Sequence, residues 1–127
     1  MTESGEVSGK RILLADDVPE VRQAIKLMLG VDHHEVAEAS NGQEALELFQ
    51  QSRFDLVITD YVMPVMKGDE LAQRIKNLEP SQPVLMITGS LHDSDGREQS
   101  VDAILNKPIG FQDLRRAVKQ LTGSVPA

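Results

Sequence analysis

The sequence predicts a single α/β domain in which helices cover both faces of a parallel β-sheet. Five short strand-like runs alternate with amphipathic segments of helical period. This repeated strand-to-helix order favours parallel strands, because each parallel pair needs a crossover connection that a helix can supply. The length of 127 residues suits one hydrophobic core and is too short for two domains.

The strand-like runs differ in their expected burial. They span residues 11–15, 35–39, 55–59, 84–87 and 101–106. The second run alternates polar and apolar residues, which is typical of an edge strand with one exposed face. The other four runs are richer in apolar residues, and we expect them to be buried strands.

Four amphipathic segments predict helices. The first has Pro19 in its first turn and Gly30 at its end, which are favoured positions for these residue types. The second follows the Asn41-Gly42 turn and the third follows Gly68. The side chains predicted to face inward are Ala45, Leu46 and Phe49 in the second helix, Leu71, Ile75 and Leu78 in the third, and Phe111, Leu114, Ala117, Val118 and Leu121 in the last.

The least regular part of the pattern lies between the fourth and fifth strands. Residues 91–100 are polar and offer almost no apolar face, so the fourth helix of the alternating order is predicted to be short or irregular. Residues 1–9 and 123–127 lack periodicity. We expect them to be flexible tails that flank a domain spanning residues 10–122.

Charge and composition exclude several classes of function. The net charge is −7 and the 13 Lys and Arg residues are scattered, whereas a nucleic-acid surface needs clustered basic side chains. The absence of Cys excludes disulfides and thiolate chemistry. No apolar run approaches the ~20 residues of a membrane span, and the acidic N-terminus is unlike a signal peptide. We therefore expect a cytoplasmic protein that neither binds nucleic acid directly nor inserts into membranes.

Polar residues stand at the carboxyl ends of four of the predicted strands. Asp16 and Asp17 follow the first strand, Asp60 the third, Thr88 the fourth and Lys107 the fifth. The carboxyl ends of parallel strands share one edge of the sheet, and ligands bind there. Three carboxylates, one hydroxyl and one ammonium are therefore predicted to meet. Such a group suits a divalent cation and a phosphoryl group.

Each residue type has a chemical part to play in that site. Mg²⁺ prefers oxygen ligands, so Asp17 and Asp60 are predicted to bind it directly and Asp16 through water. Asp60 is also a candidate nucleophile, because a carboxylate can form an aspartyl-phosphate. Lys107 would bring a mobile positive charge to the phosphoryl oxygens, and Thr88 would donate a hydrogen bond to one of them.

Some of these residues also have plainer interpretations. Asp16 or Asp17 could cap the helix that starts near Pro19. His33 and His34 are interpreted as residues of a solvated loop, because adjacent histidines lack the spacing of metal-binding motifs.

Five short motifs carry a resemblance to a known family. They are Ile-Leu-Leu-Ala-Asp-Asp at 12–17, Ile-Thr-Asp-Tyr-Val-Met-Pro at 58–64, Lys-Gly-Asp-Glu-Leu at 67–71, Ile-Thr-Gly at 87–89 and Asn-Lys-Pro at 106–108. From about Lys10 to Leu121 the chain resembles a response-regulator receiver domain of two-component signalling. The resemblance implies a flavodoxin-like (βα)5 sandwich with a parallel sheet in the order 2-1-3-4-5.

The resemblance also implies a phosphoacceptor and a metal site. Asp60 would accept a phosphoryl group from the phosphohistidine of a histidine kinase or a histidine phosphotransfer protein. Mg²⁺ would be held by Asp16, Asp17, Asp60 and the backbone carbonyl of Val62.

Two further residues follow from the resemblance. Thr88 and Lys107 would contact the phosphoryl group, and the peptide bond between Lys107 and Pro108 is expected to be cis. A domain of this kind catalyses its own phosphorylation and dephosphorylation but turns over no metabolite, so we do not expect a true enzyme. We expect a monomer or a weak dimer, with a downstream partner that the sequence does not identify.

One position departs from the family pattern. Receiver domains commonly have Tyr or Phe three residues before the lysine, where this chain has Ile104. A branched aliphatic side chain cannot make the amphipathic swing of an aromatic one, so the usual aromatic readout is not expected.

Two alternative functions stay open at this point. One is a Mg²⁺-dependent phosphatase that uses an aspartyl-phosphate, but this needs a general acid near Asp60, and Val62, two residues on, cannot serve. The other is a receiver-like protein-binding module that is not phosphorylated.

Overall fold

Five parallel strands form one sheet, and helices pack against both of its faces. In this computed structural model, which describes residues 9–89 and 101–123, the strands are β1 (Arg11–Ala15), β2 (Glu35–Ala39), β3 (Leu56–Asp60), β4 (Val84–Thr88) and β5 (Ala103–Asn106). The helices are α1 (Pro19–Gly30), α2 (Gly42–Gln51), α3 (Gly68–Leu78) and α4 (Phe111–Thr122). The strand order β2-β1-β3-β4-β5 confirms the predicted flavodoxin-like topology. The predicted short or irregular helix within 91–100 lies outside the described residues, as does most of both predicted tails.

The core consists of two layers, one on each face of the sheet. Helices α1 and α4 pack on the face that carries Ile12 and Leu14, and α2 and α3 pack on the face that carries Leu13. Successive strand residues point to opposite faces, so a strand covered on both sides is apolar throughout. This explains why β3 and β4 are buried along their whole length.

The edge strands are less buried than the central ones. The prediction of an exposed edge at β2 is confirmed, since only Ala39 is buried in that strand. The prediction that the fifth run is a buried strand was wrong. Its regular part is the four-residue β5, whose side chains are half-buried or exposed. Among the described strands, β5 pairs only with β4 and therefore lies at an edge of the sheet.

The helices follow the predicted periodicity with one clear exception. Leu114, Ala117 and Val118 are buried in α4, and Leu71 and Ile75 are buried in α3, as predicted. Leu78 is 52% exposed, so its predicted place in the core was wrong. It is the last residue of α3 and lines a solvent-open cavity at the edge of the sheet where the strands begin.

The turn between α1 and β2 also differs from its prediction. His34 is buried, and its Nδ1 accepts a hydrogen bond of 3.0 Å from the backbone N–H of Lys10. His33 is exposed, with a φ of 64° in the left-handed region, and it turns the chain into β2. The solvated-loop interpretation holds for His33 and was wrong for His34.

The burial of His34 predicts a pH dependence of folding. Burial lowers the pKa of His34 from its ordinary value of 6.5, so the unfolded chain takes up the proton first as the pH falls. The stability that depends on neutral His34 is therefore complete above that ordinary value and declines as the pH falls below it. We expect urea unfolding between about pH 8 and about pH 5.5 to show this loss, and His34→Gln to show less of it.

His33→Gln is the matched control, because it removes the exposed neighbouring imidazole and leaves the Lys10 hydrogen bond in place. It should keep the wild-type slope of unfolding free energy against pH. Equal slopes in the wild type and His34→Gln would contradict the assignment.

Candidate functional site

Three carboxylates converge where β1 and β3 end. Asp16, Asp17 and Asp60 each place a carboxylate oxygen within 4.8 Å of the others. The register of the sheet brings this about, because Ala15 pairs with Thr59 and the residues that follow this pair become neighbours. The predicted meeting of the first and third strand ends is therefore present.

Asp60 is held at both of its carboxylate oxygens. It is the last residue of β3 and is 6% exposed. Its Oδ1 accepts a hydrogen bond of 2.9 Å from the backbone N–H of Tyr61. Its Oδ2 accepts one of 3.2 Å from Nζ of Lys107. The carboxylate thus has a fixed orientation with a positive charge on one side.

Lys107 approaches the carboxylates from the other half of the sheet, where its backbone is bonded to that of Thr88. Thr88 is the buried last residue of β4, and its carbonyl accepts a hydrogen bond of 2.9 Å from the backbone N–H of Lys107. The Lys107-Pro108 bond is cis, as the resemblance led us to expect. Nζ of Lys107 also lies 3.9 Å from Oδ2 of Asp16. One ammonium therefore faces two buried carboxylates.

Asp16 has one oxygen that the described protein does not hydrogen-bond. Its Oδ1 accepts a bond of 2.9 Å from the N–H of Val18, whereas its buried Oδ2 accepts none from any described residue. The N-cap of α1 is Val18, which makes no side-chain capping bond, so Asp16 does not act as the helix cap. Buried polar atoms are normally hydrogen-bonded, and a buried carboxylate oxygen without a donor is suited to a cation. The donor set fits Mg²⁺.

The pKa shifts of the site carboxylates also favour a bound cation. Burial raises the pKa of both Asp16 and Asp60. For Asp60, the charge of Lys107 opposes this rise, and for Asp16 the hydrogen bond from Val18 does so. Like-charge repulsion adds to both rises in pKa, from Asp60 and Asp17 at Asp16 and from Asp17 at Asp60. A divalent cation would relieve both the repulsion and the loss of hydration.

The loop between β3 and α3 is tightly constrained. Gly68 donates a hydrogen bond of 2.8 Å to the carbonyl of Tyr61, and a Cβ on Gly68 would collide with the backbone oxygen of Asp60. Val65 has a φ of 73°, a left-handed conformation that is strained for a β-branched residue. The loop also carries Val62, whose side chain is 65% exposed. That the backbone carbonyl of Val62 binds the metal stays a prediction.

Arg22 was not predicted from the sequence as a residue of this site. Its Nη1 donates a hydrogen bond of 2.7 Å to the backbone carbonyl of Asp16, and its Nε pairs with Glu38 at 3.0 Å. The available signal was its helical phase, since Arg22 is in step with the buried Ile25 and Leu29. A charged residue in a core-facing phase indicates a buried partner.

The close approach of Gly68 to the backbone of Asp60 predicts a sharp steric effect. Gly68→Ala should lower the free energy of unfolding by about 1–3 kcal/mol, because the added Cβ has to displace the carbonyl of Asp60. Gly30→Ala is the control, since its Cβ would meet nothing within 4 Å, and it should be neutral or stabilising by up to about 1 kcal/mol. Urea unfolding measures both, and equal effects of the two substitutions would contradict the steric argument.

Comparison with known proteins agrees with this geometry. The family model described as the response regulator receiver domain matches residues 12–119. The chain is 35% identical to the response regulator receiver protein CpdR of Brucella abortus, over 88% of this chain and 96% of CpdR. It is 33% identical to the sensor histidine kinase AruS of Pseudomonas aeruginosa, over 98% of this chain but only 13% of AruS.

Solved structures give the same result. The response regulator TrrA of Thermotoga maritima, in complex with Mg(2+)-BeF, superposes with a TM-score of 0.84 at 35% identity, covering 88% of this chain and 98% of TrrA. The receiver domain of the sensor histidine kinase PA1611 of Pseudomonas aeruginosa, with a magnesium ion in its active-site cleft, gives a TM-score of 0.86 at 25% identity, covering 92% of this chain and all of that domain.

No helix in the described ranges is both long enough and apolar enough to cross a membrane. The sheet order, the acidic cluster at its carboxyl edge and the family match lead to one identification. The chain belongs to the response-regulator receiver domains of two-component systems, which are switched by phosphorylation.

Proposed function

We propose that Asp60 is the phosphoacceptor of this domain and that its donor is the phosphohistidine of a histidine kinase or a histidine phosphotransfer protein. The observation that carries the proposal is a set of three carboxylates within 4.8 Å of one another, with Nζ of Lys107 at 3.2 Å from Asp60. The similar chain AruS is a sensor histidine kinase, which supports this class of donor.

The proposed metal site consists of Asp16, Asp17, Asp60 and the backbone carbonyl of Val62. Oxygen ligands of this kind suit Mg²⁺, and the oxygen of Asp16 without a hydrogen bond supports a cation at this point. When bound, Mg²⁺ supplies neutralisation of the negative charge on the phosphoryl oxygens. The solved structures of TrrA and of the PA1611 receiver domain contain magnesium, which supports the same choice here.

The proposed transfer is a displacement at phosphorus. An oxygen of Asp60 forms the new P–O bond while the P–N bond to the donor imidazole breaks. The electron pair of that bond stays on the departing nitrogen, which takes a proton from water. Such transfers depend mainly on positioning and on charge neutralisation. Lys107 contributes the positive charge and Thr88 a hydrogen bond, both to phosphoryl oxygens.

The same atoms support self-catalysed dephosphorylation, in which water attacks phosphorus, the P–O bond to Asp60 breaks, and inorganic phosphate leaves as the carboxylate is restored. A phosphatase acting on alcohol esters would need a general acid for the departing oxygen. Val62, two residues beyond Asp60, is an apolar side chain that cannot donate a proton. We therefore propose a self-modifying switch in the cytoplasm, monomeric or weakly dimeric, that changes its protein partners and does not turn over a metabolite.

The first test is the intact mass of the protein after incubation with Mg²⁺ and a small acyl phosphate. We expect a gain of one phosphoryl group in the wild type and no gain in Asp60→Asn or in the presence of a chelator. Asp55→Asn is the matched control, because Asp55 lies just before β3, at the opposite end of that strand from Asp60, where it accepts a bond from the N–H of Arg11. It should be phosphorylated like the wild type.

Two outcomes would overturn the proposal. A phosphoryl gain that persists in Asp60→Asn would place the acceptor elsewhere. No gain from either an acyl phosphate or a phosphohistidine donor, with Mg²⁺ binding established separately, would favour the non-phosphorylated binding module.

The second test concerns Mg²⁺ and stability. At about a hundredfold the dissociation constant, Mg²⁺ should add about 2.7 kcal/mol to the free energy of unfolding. This gain should shrink as the pH falls, because protonated carboxylates do not bind the ion. The pKa of Asp16 is raised above its ordinary 3.8, so its ionisation makes the metal-free protein less stable at neutral pH than at a pH below its pKa.

Asp16→Asn should therefore stabilise the metal-free protein at neutral pH and reduce the gain from Mg²⁺. Thermal unfolding with and without Mg²⁺ measures both effects, and Asp55→Asn should keep the wild-type gain. A full Mg²⁺ gain in Asp16→Asn would remove this residue from the site.

A further inference from the structure

Arg22 joins the acidic site to the edge strand β2. Its guanidinium makes two contacts in different directions, one to the backbone carbonyl of Asp16 at 2.7 Å and one to Glu38 at 3.0 Å. Both side chains of the ion pair are largely buried, with 17% of Arg22 and 24% of Glu38 exposed. Ion pairs of limited exposure are less screened by solvent than surface pairs.

Two further contacts hold the backbone of Asp16 and the side chain of Glu38 in place. The backbone N–H of Asp16 donates a hydrogen bond of 3.1 Å to the carbonyl of Ala39, the residue after Glu38. Glu38 is fixed from its other side by Nζ of Lys26 at 2.9 Å. The pKa of Glu38 is lowered by Lys26 and Arg22, so it is a stable anion at neutral pH.

We infer that Arg22 is a positioning residue for the metal site, and that it acts by holding the Asp16-Asp17 backbone against β2. This inference rests on the proposed function of the acidic cluster. The segment that follows β1 must present two carboxylates to one cation while those carboxylates repel each other. A hydrogen bond to the Asp16 carbonyl, anchored through Glu38 to a strand, resists that displacement.

The competing effect of Arg22 is its charge. A guanidinium near a cation site disfavours the cation, so on electrostatic grounds alone its removal should strengthen Mg²⁺ binding. The positioning argument predicts the opposite sign, because groups that orient metal ligands typically contribute roughly ten- to hundredfold in affinity. The direction of the change therefore separates the two effects.

The experiment is a Mg²⁺ titration of the purified chain by isothermal calorimetry. Fluorescence is a parallel readout, since Tyr61, beside Asp60, is the only Tyr and the chain has no Trp. Arg22→Met should weaken Mg²⁺ binding by roughly tenfold or more. Arg22→Lys should recover little of this loss, because one ammonium cannot reproduce both contacts of the guanidinium. Glu38→Gln, which keeps Arg22 but removes its anchor, should weaken binding less.

Lys26→Met is the matched control. It removes the other cation from Glu38 without touching Asp16, and it should keep the wild-type affinity for Mg²⁺. Unchanged or tighter binding in Arg22→Met would overturn the inference, as would an equal loss in Lys26→Met.

A second readout needs no metal. Hydrogen exchange of the Asp16 and Val18 amides should be faster in Arg22→Met than in Lys26→Met, because these N–H groups bond to Ala39 and to Asp16 itself. Equal exchange rates would overturn the inference. If the wild type bound no Mg²⁺, the proposed metal site would fail, and the exchange rates would still decide whether Arg22 orders this segment.

Discussion

The register between β1 and β3 is the constraint on which the rest of the site depends. Because Ala15 pairs with Thr59, the chain emerges from both strands at the same level, and Asp16 and Asp60 are brought side by side in the sheet edge. On the other side of β3, β4 pairs with β3 and β5 pairs with β4, so Thr88 at the end of β4 and Lys107 after β5 lie along the same edge of the sheet. A slip of one residue would turn these side chains to the other face, and both faces are covered by helices. The packing that fixes the register therefore also fixes the positions of the side chains that form the site.

The burial of neighbouring carboxylates at this site opposes the stability of the metal-free fold. Burial raises the pKa of Asp16 and Asp60, and within residues 9–89 and 101–123 only one ammonium, that of Lys107, faces both carboxylates. The surrounding backbone is held by the Arg22 contacts to Asp16 and Glu38 and by the close packing of Gly68 against Asp60. It also contains one strained residue, the left-handed Val65. The left-handed conformation costs roughly 1–2 kcal/mol for a residue with a Cβ, and strain of this kind is concentrated at functional sites.

Two of the differences between the predicted and observed structure, those at His34 and Leu78, have a common origin. His34 is buried because Lys10 supplies a backbone donor from the start of β1, and no property of the His33-His34 pair indicates that partner. Leu78 has the correct helical phase for the core, but the helix ends there beside an open cavity. In both cases the environment of the side chain was decided by a part of the chain distant in sequence.

The sequence by itself determined the succession of strands and helices along the chain, the parallel sheet and the identity of the residues at its carboxyl edge. These follow from short-range periodicity and from the rule that parallel strands end on one side. Only the tertiary structure decided which oxygen of Asp16 lacks a hydrogen bond, that Arg22 reaches Glu38, and that His34 is buried. The physical reason is that burial and hydrogen-bond satisfaction depend on which distant segments pack together, and periodicity carries no information about the atoms that meet there.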